Sequence, residues 1–315
     1  MLVVRSVTKR RAALHGAALG SVRSQHTNDG SHLREAVRKF DYDHYVCGLL
    51  FPQDKRSSFF AIRAMNAELA SVKDSIRSNP ATGKIRMQWW RENIYNLYSP
   101  RATRAVPETM LLRALSKAID DHELTRRWFE RLLDARDEDL DTDQPHTLHE
   151  LEVYADKTAA SLLYLTLECL GVRDGAADRA AGHAGVAVGL TTLLRGTPYH
   201  LAHNQLYLPE DLLLKHDLTN EHFEAASQDP AEGKKLAPVV FEVACLALEH
   251  LRASRELTRD VPKEARPALL SVVSSSMYLE QLERVNFNVF DPSLMQRSPM
   301  QLHLQVLKNY FLRKY

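Results

Sequence analysis

Two carboxylates four residues apart on a helix share a face and can hold a hard, oxygen-seeking ion such as Mg²⁺ between them. The chain carries this spacing twice, at Asp137/Asp141 and Asp139/Asp143, within the run Asp134-Ala-Arg-Asp137-Glu138-Asp139-Leu140-Asp141-Thr-Asp143. That run closes a helix just before Gln144-Pro145, where acids oppose the helix dipole, so the sequence predicts a solvated, fraying cap rather than a metal site. Lys73 and Arg77, flanking Asp74, repeat the spacing with cations. Such a pair holds an anion without metal or pairs with acids elsewhere in the fold. A third cluster, Thr192-Leu-Leu-Arg195-Gly196-Thr-Pro198-Tyr199-His200, brings a guanidinium, a phenol and an imidazole together, and the block Arg86-Met-Gln-Trp89-Trp90-Arg91-Glu92 adds another guanidinium. Arg91, Arg195 and Tyr199 are the candidate anion contacts, with ion pairs to buried acids as the competing use. His200 and His203 lack a third ligand and the chain has no His-Glu-x-x-His, so no metal and no cofactor is expected from the histidines.

Helices must position these groups. Ile62, Met65, Leu69, Val72 and Ile76 alternate spacings of three and four, which predicts a helix from about Ser57 to Ile76, capped by Ser57 or Ser58 and stopped at Asn79-Pro80 with Gly83. A second helix carries Trp89, Trp90, Ile94, Leu97 and Tyr98, with one Trp packed and the other facing a cavity or contact surface. The same periodicity predicts helices over Glu108–Ile119, Leu124–Leu140, Leu148–Leu170 with Gly171 as C-cap, Ala176–Arg195, Pro238–Leu257 and Pro267–Leu282. Gly196-Thr-Pro198 is expected to break the Ala/Gly-rich helix. Alternating strand patterns are nearly absent, so the expected class is all-α. Only Asp229-Pro-Ala-Glu-Gly reads as a flexible link, and residues 29–315 form a single domain.

At 315 residues with 44% hydrophobic and 26% charged side chains, the composition is that of a globular protein with a large core. A formal charge of +1 gives no reason to expect nucleic acid as a partner. The three cysteines, Cys47, Cys169 and Cys245, are scattered through apolar helical runs and read as buried free thiols. Residues 1–28 hold Arg5, Lys9, Arg10, Arg11 and Arg23, with no acid before Asp29, around a broken apolar face. This pattern reads as a mitochondrial transit peptide. No window approaches a membrane-spanning length of uninterrupted apolar residues.

Ala61-Ile-Arg-Ala-Met65, Gln88-Trp-Trp-Arg91, Asp139-Leu140, Leu151 to Ser161 with Tyr154 and Ala159, Leu190 to Arg195, and Leu206-Tyr-Leu-Pro209 follow one another in an order that resembles the squalene and phytoene synthases, from about Asp41 to Leu282. The resemblance implies an isoprenoid-synthase helical bundle around a central cavity, in which two facing aspartate motifs grip prenyl diphosphates through Mg²⁺. In that register Lys73 and Arg77 stand where the first motif places acids, leaving Asp74 about 100° round the helix. Gly196 and His200 stand at the acids of the second motif, while Arg195 is kept. Longer matches, Arg63 to Ser75, Ser161 to Glu168 and Thr197 to His200, resemble a divergent, non-catalytic branch that serves early in building respiratory complex I, NADH:ubiquinone oxidoreductase. That branch implies complex I subunits or assembly intermediates as partners, peripheral association with the matrix face of the mitochondrial inner membrane, and no catalytic residues. The alternative is an active or ligand-binding prenyl-diphosphate transferase.

Overall fold

The computed structural model describes residues 30–75, 80–100, 105, 108–296 and 298–315, and these are helical or irregular throughout, with no strand among them. Arg77 and the 1–28 segment lie outside the described residues. Four helices, α1 (30–40), α2 (Tyr42–Gly48), α3 (Arg56–Ser75) and α4 (Pro80–Leu97), lead into α5 (Met110–His122) and α6 (Arg126–Glu138). Then come α7 (Leu148–Ala155), α8 (Ser161–Cys169) and α9 (Gly175–Leu201). The chain closes with α10 (Glu210–Lys215), α11 (Asn220–Gln228), α12 (Ala237–Glu256), α13 (Arg266–Leu269), α14 (Val272–Arg284) and α15 (Pro299–Leu312).

Two apolar cores flank the middle of the bundle. One is built on α3, α4, α5, α6 and α8, with Ile62, Met65, Leu69, Trp90, Leu112 and Phe129 buried. The other gathers around α9 and α12. α9 is 27 residues long, starts at Asp174, whose side chain accepts from the Ala176 and Ala177 amides at 2.9 Å, and buries Ala177, Ala180, Ala181, Ala184 and Ala187 along one face. Between α7 and α8 the chain widens into a π turn, Asp156–Ala160, that lies against α9. Close approach is possible because the facing positions are glycines: a Cβ on Gly185 would sit 2.3 Å from Ala160 Cα, and one on Gly189 would sit 2.7 Å from Ala155 Cβ.

Several boundaries depart from the sequence expectation. Pro80, expected at a helix stop, also opens α4, because a missing N–H and a fixed φ suit the first helical turn. Ser58 is no cap; it is buried inside α3, with its Oγ 2.9 Å from His122 Nε2. Pro198 does not break α9, which continues to Leu201. The last turn survives because the Ala202 amide still donates to the Pro198 carbonyl, at 3.3 Å, and the rings of Tyr199, His200 and His203 pack over one another. The expected 148–170 helix is interrupted by the π turn, and the acidic helix ends at Glu138, followed by a 3₁₀ turn, Asp139–Asp141. Nor is Asp229-Pro-Ala-Glu-Gly a loose link. Asn288 Nδ2 donates to the Pro230 carbonyl at 2.8 Å, and Asn288 Oδ1 occupies the space a Cβ on Gly233 would need.

Trp90 is buried and Trp89 is at the surface. Cys47 and Cys169 are buried free thiols and Cys245 is half-buried; burial pushes the Cys169 thiol up to about 12.

A candidate site in the central cavity

A cavity of about 590 Å³ opens between the two cores, lined by the 39–44 connection, α3, the end of α6, α7 to α9, and Tyr207. Its floor and walls include Ala67, Ala70, Leu162, Leu163 and Val188. Charged side chains ring this apolar interior. Among the candidate residues, Lys73, Asp74, Thr192, Arg195 and His200 line it. Arg91 does not; it reaches outward from α4 to Asp134 and, at 3.2 Å, Asp137.

Lys73 is the centre of the first cluster. Its Nζ donates to Asp139 Oδ1 at 3.0 Å, to the Thr142 carbonyl at 2.7 Å and to the Tyr207 hydroxyl at 3.3 Å. An ammonium has three N–H donors, so all are placed. Asp139 is 8% exposed, and its other oxygen accepts from Tyr207 at 2.8 Å and Tyr154 at 3.2 Å. The expected solvated cap is therefore wrong for Asp139. A lysine 66 residues away in sequence and two phenols replace water around it. Two more acids of the run are paired, since Lys84 meets Asp137 at 3.3 Å and Asp141 at 2.6 Å.

Three further acids sit at the cavity wall. Asp41 accepts from Arg63 and lies 2.7 Å from His44 Nδ1. Burial by itself would raise this carboxyl, but Arg63 and His44 hold it well below the usual carboxylate range. Asp43 accepts from Arg195 Nη1 at 2.6 Å. Asp74 accepts from the Tyr199 hydroxyl at 3.0 Å, which ties α3 to the tail of α9.

Gly196 and His200 fit one another. A Cβ on Gly196 would come 2.7 Å from His200 Nε2, so the imidazole lies over the bare glycine and then against Tyr207, with ring centroids 4.7 Å apart. Burial lowers the His200 pKa, against the opposing pull of Asp74 and Asp139, and favours the neutral ring.

The donor set does not suit Mg²⁺. A divalent ion beside Lys73 would face an ammonium whose carboxylate is already taken, and the α9 side would offer a glycine and an imidazole in place of hard oxygens. Among the described residues no group of three His, Cys, Asp or Glu side chains is placed to hold a metal ion.

Sequence reading missed Arg136. It lies on α6 three residues before Asp139, and both line the cavity. Its Nη1 donates to the Tyr154 hydroxyl at 2.8 Å, while its Nε is buried without a hydrogen-bond partner. Periodicity alone could not have found it, because a helix C-terminus rich in Arg and Asp reads as solvated.

The model of the squalene/phytoene synthase family matches residues 37–303. The complex I assembly factor 6 of Mus musculus is 43% identical over 281 residues, 88% of this chain and 82% of its own length. The assembly factor 6 homolog of Drosophila melanogaster is 34% identical over 89% of this chain and 84% of its own length. Among solved structures, a dehydrosqualene synthase superposes with a TM-score of 0.76 at 19% identity, covering 93% of this chain and 99% of its own, which shows the isoprenoid-synthase fold. By sequence and by fold, the chain belongs to the squalene/phytoene synthase family and is within it a homologue of complex I assembly factor 6.

Proposed function

We propose that the chain works in the assembly of mitochondrial complex I as a family member that has given up prenyl transfer. The observation that carries this reading is Lys73. In the register of the family's first aspartate motif, an ammonium stands where an acid is expected, and its three donors are spent on Asp139, Thr142 and Tyr207. Diphosphate departure depends on metal-held charge stabilisation, and its loss removes several kcal/mol of the barrier reduction. Gly196 and His200 at the second motif point the same way. The assembly role rests on the relatives, which are named as complex I assembly factors.

The reading extends to place and partners. Residues 1–28 act as a transit peptide, and the mature chain meets complex I subunits or intermediates at the matrix face of the inner membrane. No helix among the described residues is long and apolar enough to cross a membrane. α15 supports a peripheral contact. Met300, Leu304, Leu307 and Phe311 are exposed at spacings of four, three and four, which puts them on one face. Lys308, Arg313 and Lys314 are exposed beside them, and no acid occurs from Pro292 to Tyr315. An apolar stripe with basic flanks suits an anionic lipid surface.

Incubating the purified chain with labelled farnesyl diphosphate and Mg²⁺ tests the non-catalytic half: no condensation product is expected, and metal-dependent product would refute it. Deleting the gene tests the other half. Complex I should fall, with stalled membrane-arm precursors, while the other respiratory complexes are kept.

A further inference from the structure

Among the described residues, one half-buried cation of the cavity wall lacks a carboxylate of its own. Arg63 has Asp41, Lys73 has Asp139 and Arg195 has Asp43. Arg136 has the Tyr154 hydroxyl at 2.8 Å and the face of the Tyr154 ring, 5.7 Å from the guanidinium, and no ion-pair partner among the described residues. Asp139 lies close enough to act on it through space, yet its oxygens are already bonded to Lys73, Tyr154 and Tyr207. A buried charge is expensive unless paired and hydrogen-bonded. Burial works against the Arg136 charge, but Tyr154 and Asp139 outweigh it and keep the guanidinium protonated.

Two more polar atoms in the same cavity are buried without partners, Asn66 Oδ1 on α3 and His200 Nδ1 on α9. Asn66 and Lys73 stand seven positions apart on one face of α3, roughly 10 Å along the helix. Between them the wall is apolar, formed by Ala67 and Ala70 with Leu162 and Leu163 opposite. A guanidinium without a carboxylate partner on the wall of a largely apolar interior of this size describes a ligand site, since pockets for small molecules run to about 300–1,000 Å³ with a few placed polar groups.

We propose that this cavity binds, without metal, an apolar molecule ending in a single carboxylate, the long-chain fatty acid class, with the acid group accepting from the Arg136 guanidinium on the cavity wall, whose Nη1 alone is engaged, by Tyr154. The proposal rests on the cavity being non-catalytic and names what it holds instead. One uncompensated guanidinium calls for one negative charge. A diphosphate brings about three charges at neutral pH, which the family meets with Mg²⁺ and which this cavity, with Lys73 and Arg195 committed to carboxylates, cannot meet.

The test is a fluorescence titration of the full chain with cis-parinarate, alone and in EDTA, beside methyl parinarate and farnesyl diphosphate with Mg²⁺. Saturable one-to-one binding of the carboxylate is expected, unchanged by EDTA. The ester should bind at least ten-fold more weakly, the size of one charge-assisted hydrogen bond, and farnesyl diphosphate should compete poorly. Arg136→Met should erase the preference for acid over ester, and Arg136→Lys should restore part of it, with circular dichroism confirming the fold of each. Equal affinity for acid and ester in the unaltered chain, a requirement for Mg²⁺, tighter binding of farnesyl diphosphate, or no saturable binding would each overturn the proposal. The ester comparison needs no variant, so a misfolded mutant does not shield it. Failure here leaves the condensation assay untouched, so the two readings fall separately.

Discussion

Lys73 Nζ and Asp139 Oδ1 lie 3.0 Å apart, joining α3 to the 3₁₀ turn after α6, with side chains only 12% and 8% exposed. Removing one partner of such a pair strands the other charge in a poorly hydrated site. Lys73→Met is expected to destabilise the chain by about 3 kcal/mol, and Lys73→Asp by more, because it sets a second carboxylate against Asp139. Urea unfolding of the two variants against the parent measures both. Unchanged midpoints would mean that water or movement has replaced the pair.

Acid should weaken the fold before the carboxylates titrate. Burial depresses the pKa values of His122, His183 and His200, so the unfolded chain binds more protons than the folded one once pH falls below the ordinary histidine value of about 6.5. Their contribution is complete above that value and is lost as pH falls toward the folded pKa values. Asp41, also depressed, adds a second loss below about pH 4. The melting temperature is expected to be lower at pH 5.5 than at pH 7.5, and His200→Gln should shrink that difference. Melting curves at the two pH values decide it; a difference that His200→Gln leaves unaltered would remove this histidine from the account.

Gly185 separates packing from propensity. A Cβ there would meet the Ala160 backbone at 2.3 Å, so Gly185→Ala must push α9 off the π turn at a cost of about 1–3 kcal/mol. Gly175, at the start of the same helix, has only Arg179 Nη1 at 3.6 Å nearby. Gly175→Ala should be neutral or stabilising by up to ~1 kcal/mol. Chemical denaturation of the two alanine variants gives the comparison, and equal effects would contradict the close approach.

Membrane contact through α15 has a direct readout. The chain should float with vesicles containing cardiolipin and far less with phosphatidylcholine alone. Leu304→Glu with Phe311→Glu should abolish flotation, since both side chains are more than half exposed and support no core. Flotation of the double variant equal to that of the parent would move the contact elsewhere.

The helices were largely legible because a three-and-four spacing of apolar residues reports which face meets the core, whatever that core contains. α3 and α9 were found this way, to within a few residues at their starts. What spacing cannot report is a partner distant in sequence. Lys73, Asp139 and Tyr207 are bonded in space and separated by as much as 134 residues, so Asp139 read as solvent-facing and Arg136 as one more surface charge. The helix-breaking rule for proline failed at Pro198 for another reason. It describes an isolated helix, and at Pro198 the packed rings of Tyr199, His200 and His203 hold the last turn together despite the missing amide.

The imidazole of His200 fills the space above Gly196, and that fit constrains the order in which substitutions can occur. Any side chain introduced at 196 meets the ring, which also packs edge-to-face with Tyr207. Replacing His200 first would vacate the volume while leaving position 196 bare. Neither single step yields a facing pair of acids, and the lysine bound to Asp139 would still stand across the cavity. A side chain at 196 therefore finds room most easily once the imidazole has gone, which ties the two positions to each other.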